Sequence, residues 1–172
     1  LAADSSLRFV FDSKEFPMRR KCIKPYEEIT KKPNFIVIVL ETFRALNMKS
    51  FNPAARFNAT PFIDSLITGG KSAYWTKYKA SGAPTVFAMM SLHTSLLPHS
   101  KEIISVNTTT VNMDSFPSIL RKNGYFAKFF TSTDPDWDNQ RFWLRKWYDE
   151  IYFDPANNEK DRVVFRKAAE EI

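Results

Sequence analysis

Apolar and polar positions mostly alternate along this chain in short stretches, but one run stands apart. From Phe35 to Leu40 every residue is apolar, Ile36 to Val39 are all β-branched, and Glu41 follows at once. The run is too short to span a bilayer and has the composition of a buried, parallel strand. Residues 34–40 are therefore expected to form a core strand, with Glu41 at the carboxyl edge of the sheet, where open α/β folds gather ligands and metals. A solvated Glu opening a loop is the plainer reading of the same position.

Downstream the pattern switches between helical and strand periods. Thr60-Pro61 supplies an N-cap and a Pro at the first helical position, Phe62, Ile63, Leu66 and Ile67 recur at helical spacing, and Gly69-Gly70 ends the helix. Ser72 to Lys79 mixes aromatic and polar residues and reads as a strand. Ser81-Gly82-Ala83-Pro84 reads as a tight turn, and Thr85 to Leu97 as an apolar helix. Ser115-Phe116-Pro117 opens a further helix that Asn123-Gly124 closes. Tyr125 to Thr131 is a second core strand, Asn139 to Trp147 a helix, Ile151 to Phe153 a short strand and Val163 to Ile172 a helix. This order predicts an α/β fold, a mostly parallel sheet with helices on both faces. Residues 1–32 read as a charged lead-in punctuated by Pro17 and Pro25, in which Leu7, Phe9 and Phe11 alternate as a short edge strand. Residues 33–172 then hold the domain.

Composition narrows the classes. A chain of 172 residues, 44% hydrophobic, can bury one good core. Its net charge of +6 predicts attraction to anionic surfaces. No nucleic-acid recognition motif is present, so nucleic acid is not an expected partner. Cys22 is the sole cysteine, which excludes an internal disulfide and a CxxC metal knuckle and leaves the compartment open. Leu1-Ala2-Ala3-Asp4 carries neither an initiator Met nor a leader pattern, and the last helix has no stop signal. The expectation is an internal piece of a longer polypeptide.

Chemistry concentrates in the stretch Ser81 to Ser91. A small-residue turn running into a helix puts Thr85 at or near the helix N-terminus, where free N–H groups and the dipole favour an anion or an ionised hydroxyl. A hydroxyl there that also meets a divalent cation becomes a nucleophile. Helix capping is the competing role for Thr85. His93 falls within the apolar helix and reads as a packed residue, whereas His99 follows Pro98 in a loop.

Together, the apolar strand ending in Glu41-Thr42-Phe43-Arg44, then Thr60-Pro61-Phe62-Ile63-Asp64-Ser65-Leu66, an aromatic strand and the turn before Thr85 resemble one family. This is the sulfatase-like branch of the alkaline phosphatase superfamily, and within it the lipoteichoic-acid-synthase type of phosphoglycerol transferase. Phe116 to Tyr125, Asp138-Asn139, Trp143 and Trp147 to Glu150 fit the same order. The resemblance implies an alkaline phosphatase/sulfatase-like fold of which residues 33–172 are the N-terminal portion, the sheet being truncated on its C-terminal side. It also implies a metal-dependent phosphotransferase or hydrolase: Glu41 as a metal ligand, and Thr85 as both metal ligand and nucleophile, forming a covalent phospho-enzyme. Ser81 is the other hydroxyl in the turn. Trp137, Asn139 and Arg141 correspond to the region that holds substrate. Trp143 is expected in the core.

The resemblance further implies Mn²⁺ or Mg²⁺, or Ca²⁺ for a sulfatase, and an anionic lipid, phosphodiester or sulfate-ester substrate. The setting it implies is the extracytoplasmic (periplasmic) face of a cell membrane, with membrane spans outside this chain. The sulfatase signature Cys-x-Pro-Ser-Arg, placed on Pro84, would need Cys at Gly82 and Arg at Val86, and neither is there. The same register leaves Gly82 in the nucleophile slot. No Asp-His dipeptide is present either, so the chain is expected to supply half a metal site. A sulfuric or phosphoric ester hydrolase, a phosphoethanolamine transferase and a non-catalytic binding domain of the same fold remain as alternatives.

Overall fold

The structure, a computed structural model, describes residues 32–98, 103, 106 and 112–172, together with the backbone of 7–10 and 19–22. His99 lies outside the described residues. The chain separates into two compact units, one reaching Lys79 and the other running from Ala80 to Ile172.

In the first unit, strands β1 (Leu7–Val10) and β2 (Arg19–Cys22) pair antiparallel, Leu7 opposite Cys22 and Val10 opposite Arg19. The short strand expected at Leu7 is therefore formed, and its partner is the basic segment Arg19-Arg20-Lys21. Helix α1 (Pro61–Thr68) starts at the expected Pro. It ends with Gly70 at φ 65°, where Gly70 N–H donates to Ile67 O at 3.2 Å and Lys71 N–H to Leu66 O at 3.0 Å. Only a residue without Cβ adopts that backbone freely, which is why the Gly pair stops the helix.

Two strand expectations fail in this unit. Residues 34–40 form no strand, and Ile36 to Val39 are each more than half exposed, Val39 least at 53%. A buried strand needs a hydrogen-bonded ladder along its edges, and the strand ladders among the described residues are β1 with β2 and β3 with β4. Residues 72–79 form no strand either, and Trp75 and Tyr78 are exposed. Tyr74 packs edge-on against Phe51 with ring centroids 5.6 Å apart.

The second unit holds helices α2 (Thr85–Thr94) and α3 (Phe116–Lys122), strand β3 (Lys128–Phe130), helix α4 (Gln140–Trp147), strand β4 (Glu150–Tyr152) and helix α5 (Asp161–Ala169). β3 and β4 run parallel, Lys128 opposite Glu150 and Phe130 opposite Tyr152, with α4 as the crossover. A parallel pair joined through a helix makes this an α/β chain, as the element order predicts. Ser115 and Ser118 form a reciprocal cap on α3, Ser118 N–H to Ser115 Oγ at 3.1 Å and Ser115 N–H to Ser118 Oγ at 2.8 Å. Asp149 ties α3 to the sheet by accepting from Arg121 Nε and from Ala127 N–H, both at 2.8 Å.

The core of this unit is Val86, Trp143, Leu144 and Trp147, all nearly inaccessible. Trp143 and Trp147 stand one helical turn apart, so one face of α4 is apolar while Arg141, Arg145 and Lys146 occupy the rest. Among the described residues no helix is long and apolar enough to cross a membrane.

Candidate active site

Thr85 is the first residue of α2, and the N-cap position is Pro84. Thr85 is therefore not the capping residue, and it is exposed in the first turn of α2. Phe87 N–H is satisfied by Pro84 O at 3.1 Å. Ser81, also exposed, begins the loop that leads in.

Gly82 has a steric role that its sequence context does not disclose. A Cβ there would lie 2.7 Å from Phe87 Cβ and 3.1 Å from Pro98 Cγ. The 81–84 loop thus folds back onto the first turn of α2 and the segment after it. The position that the Cys-x-Pro-Ser-Arg register would make the nucleophile faces packed carbon, and a Cβ there would force its neighbours to shift. Gly82→Ala is expected to cost about 1–3 kcal/mol through overpacking, read as a lowered urea midpoint.

Glu41 is exposed and belongs to the first unit, directly after the irregular segment 32–40. It is not at the end of an observed strand, which corrects the expected placement. Thr42, next to it, has φ 53°.

Trp137, Asn139 and Arg141 come together in one segment of the second unit. Trp137 is exposed, and Asp138 and Asn139 both have positive φ, 53° and 56°. Asn139 is the N-cap residue of α4 and Arg141 lies in its first turn. Arg141 Nε donates to Asp136 Oδ1 at 2.6 Å, and its Nη2 lies 3.6 Å from Asp134 Oδ1. Those bonds hold the Asp136 carboxyl below its ordinary range and raise the guanidinium further. Arg141 therefore anchors the Trp137 turn to α4 in this structure. The pairing was legible only as nearby acids in Asp134-Pro135-Asp136.

Sequence reasoning also passed over Asp64. Its carboxylate accepts from Ser50 N–H and Thr60 Oγ1, each at 2.8 Å, and from Ser50 Oγ. Thr60 spends its hydroxyl on Asp64 rather than on the helix backbone. These bonds, led by the Ser50 hydroxyl, lower the Asp64 pKa and pin residues 48–52 to α1. His93, expected as a packed residue, is buried 94% of the way, its exposure being 6%.

Among the described residues no three His, Cys, Asp or Glu side chains converge as a metal cage. Carboxylate and hydroxyl oxygens are the donors that hard divalent cations prefer.

The family model for Sulfatase matches residues 33–172. The chain belongs to the Sulfatase family. Neither the curated proteins nor the solved structures compared with it gave a match. Membership places this sulfatase-family chain in the alkaline phosphatase superfamily, among hydrolases and transferases that are generally metal-dependent.

Proposed function

We propose that this sulfatase-family chain serves a metal-dependent phosphotransferase that moves a phosphoglycerol group through a phospho-Thr85 intermediate. The observation that carries the reading is the turn before α2: Thr85 is exposed at the first helical position, while Gly82 is packed against Phe87 and Pro98. A formylglycine route needs a side chain at the Gly82 position, where a Cβ would force its neighbours to shift. A divalent cation, Mn²⁺ or Mg²⁺, held at the Thr85 hydroxyl would lower the pKa of that hydroxyl and offset charge on the transferring group.

In the first half-reaction Thr85 Oγ forms a bond to the phosphorus of a phosphodiester, and the bond from phosphorus to the departing alcohol breaks. The proton leaving Thr85 balances the one gained by that alkoxide. An acceptor hydroxyl then forms a bond to that phosphorus, the bond from phosphorus to Thr85 Oγ breaks, and the proton lost by the acceptor is returned to the Thr85 oxygen. The N-terminal N–H groups of α2 stabilise the developing negative charge. Trp137, Asn139 and Arg141 form the substrate-side segment. The net charge of +6 suits an anionic lipid donor, and the setting of the proposed reaction is the outer face of a cell membrane.

The test uses full-length protein, Mn²⁺ and phosphatidylglycerol vesicles, following diacylglycerol release and the mass of the acid-trapped peptide carrying Thr85. Release and a glycerophosphoryl adduct are expected in the parent and in Ser81→Ala, and neither in Thr85→Ala. Unchanged release from Thr85→Ala would overturn the nucleophile. Turnover of an aryl sulfate in place of the phosphodiester would overturn the phosphoglycerol reading in favour of a sulfatase.

A further inference from the structure

The stretch Lys71 to Lys79 of the first unit carries two large aromatic side chains that the fold leaves in water. Trp75 and Tyr78 are each 77% exposed, and every residue from Lys71 to Ala80 is exposed. The stretch leaves the end of α1, where Lys71 N–H donates to Leu66 O at 3.0 Å, and the Tyr74 ring fastens it to Phe51. Thr76 and Lys77 then form a turn between the two exposed rings. Rings of this size left in water make apolar surface of the kind that a partner or a membrane covers.

The charge around them is of one sign. Lys71, Lys77 and Lys79 are interleaved with the aromatics, and from Ser65 to Lys101 the sequence has no Asp or Glu. Among the described residues none of the three lysines takes part in an ion pair. The exposed Trp137 is the contrast within the same chain, because Asp134, Asp136 and Asp138 surround it in sequence and an anionic surface repels them. An indole or phenol has an apolar body and a polar tip, which suits the headgroup level of a bilayer. Lysines beside it then meet lipid phosphates.

We propose that residues 71–79 dock this chain on an anionic lipid bilayer, Trp75 and Tyr78 seated at the headgroup level and Lys71, Lys77 and Lys79 against lipid phosphates. The inference concerns binding to a surface and does not depend on turnover at Thr85. Single-stranded nucleic acid draws on the same residue types and is the competing partner.

The experiment sediments the 172-residue chain with phosphatidylcholine vesicles, with and without phosphatidylglycerol, in about 0.1 M salt. Binding is expected only where phosphatidylglycerol is present. Each Lys near an anionic leaflet is worth about fivefold, so Lys71→Gln/Lys77→Gln/Lys79→Gln should lower the affinity about a hundredfold. Lys160→Gln/Arg162→Gln/Arg166→Gln removes the same charge from exposed positions at α5 and should cost under about threefold. Trp75 emission should shift to the blue on the vesicles and be quenched by brominated lipid, whereas Trp75→Phe should bind and lose that signal. Equal losses in the two triple variants would assign binding to net charge and overturn the proposal. Parent-like binding by the first triple variant does the same, as does a bound chain whose Trp75 is not quenched. Tighter binding to oligodeoxythymidylate than to the vesicles would make the stretch a nucleic-acid surface instead. Any of these, with diacylglycerol release intact, removes the docking surface and leaves the Thr85 reading standing.

Discussion

Trp143→Ala is expected to destabilise the second unit by about 3–5 kcal/mol, enough to unfold it in much of the population. Trp143 is 1% exposed and lies at the centre of the aromatic cluster. Its ring meets Phe142 edge-on with centroids 5.4 Å apart and Trp147 at 5.6 Å, and the Lys146 ammonium stands 4.8 Å from its centroid. Truncation removes the transfer energy of the indole and leaves a cavity that α4 cannot close, because Leu144 and Trp147 are held on the same face. Urea unfolding followed by near-ultraviolet circular dichroism reads the loss. Trp137→Ala is the matched comparison: at 68% exposure it should change the midpoint by under about 0.5 kcal/mol. Equal effects from the two substitutions would refute the assignment of the core.

Acid is expected to loosen the same unit through His93. Met89 O can only accept, so the 2.8 Å contact fixes the proton on His93 Nδ1, and Nε2 accepts from the Tyr148 hydroxyl at 2.9 Å. The ring is stacked on Trp147 with centroids 5.0 Å apart and lies against Phe129 and Tyr148. Burial lowers the His93 pKa, more than the bond to Met89 raises it. The same burial raises the Tyr148 pKa, so the tyrosine stays neutral and serves as the donor.

An unfolded His takes up a proton near pH 6.5, whereas the native one resists until a lower pH. The unfolded state therefore binds more protons across that window, and stability falls as pH drops below about 6.5. Stability is full above it. His93→Phe keeps an aromatic ring, removes the proton uptake and leaves the Tyr148 hydroxyl without its acceptor. It should be less stable than the parent at neutral pH by about 1–3 kcal/mol, with a flatter profile between pH 7 and 5. Urea midpoints across that range check both features, and an unchanged acid slope in the variant would refute the role of His93.

The legible elements share a local cause. α1, α3 and α4 carry apolar residues at helical spacing between recognisable ends: Pro61 and Gly70, the Ser115 cap and Gly124, and the Asn139 start. β3 and β4 are short and aromatic, and their parallel register follows from the crossover helix between them. α2 is shorter than its apolar composition suggests, stopping at Thr94 because Ser95 turns left-handed. Phe35 to Leu40 misled for the opposite reason. A continuous apolar run reports what a segment would bury, and burial depends on partners that the run itself does not contain.

The site divides along the same line. The sequence by itself determined the residue types of the chemistry: a carboxylate at Glu41, hydroxyls at Ser81 and Thr85, and the small-residue turn that runs into a helix. Motif order along the chain was enough for that, and enough for the family. Tertiary structure alone decided that Pro84 rather than Thr85 occupies the cap, that Gly82 is closed off by Phe87 and Pro98, and that Arg141 is held by Asp136. It alone also placed strain at Thr42, beside Glu41. Each of these depends on distances between atoms of the folded chain or on a single backbone dihedral. Composition and periodicity report neither.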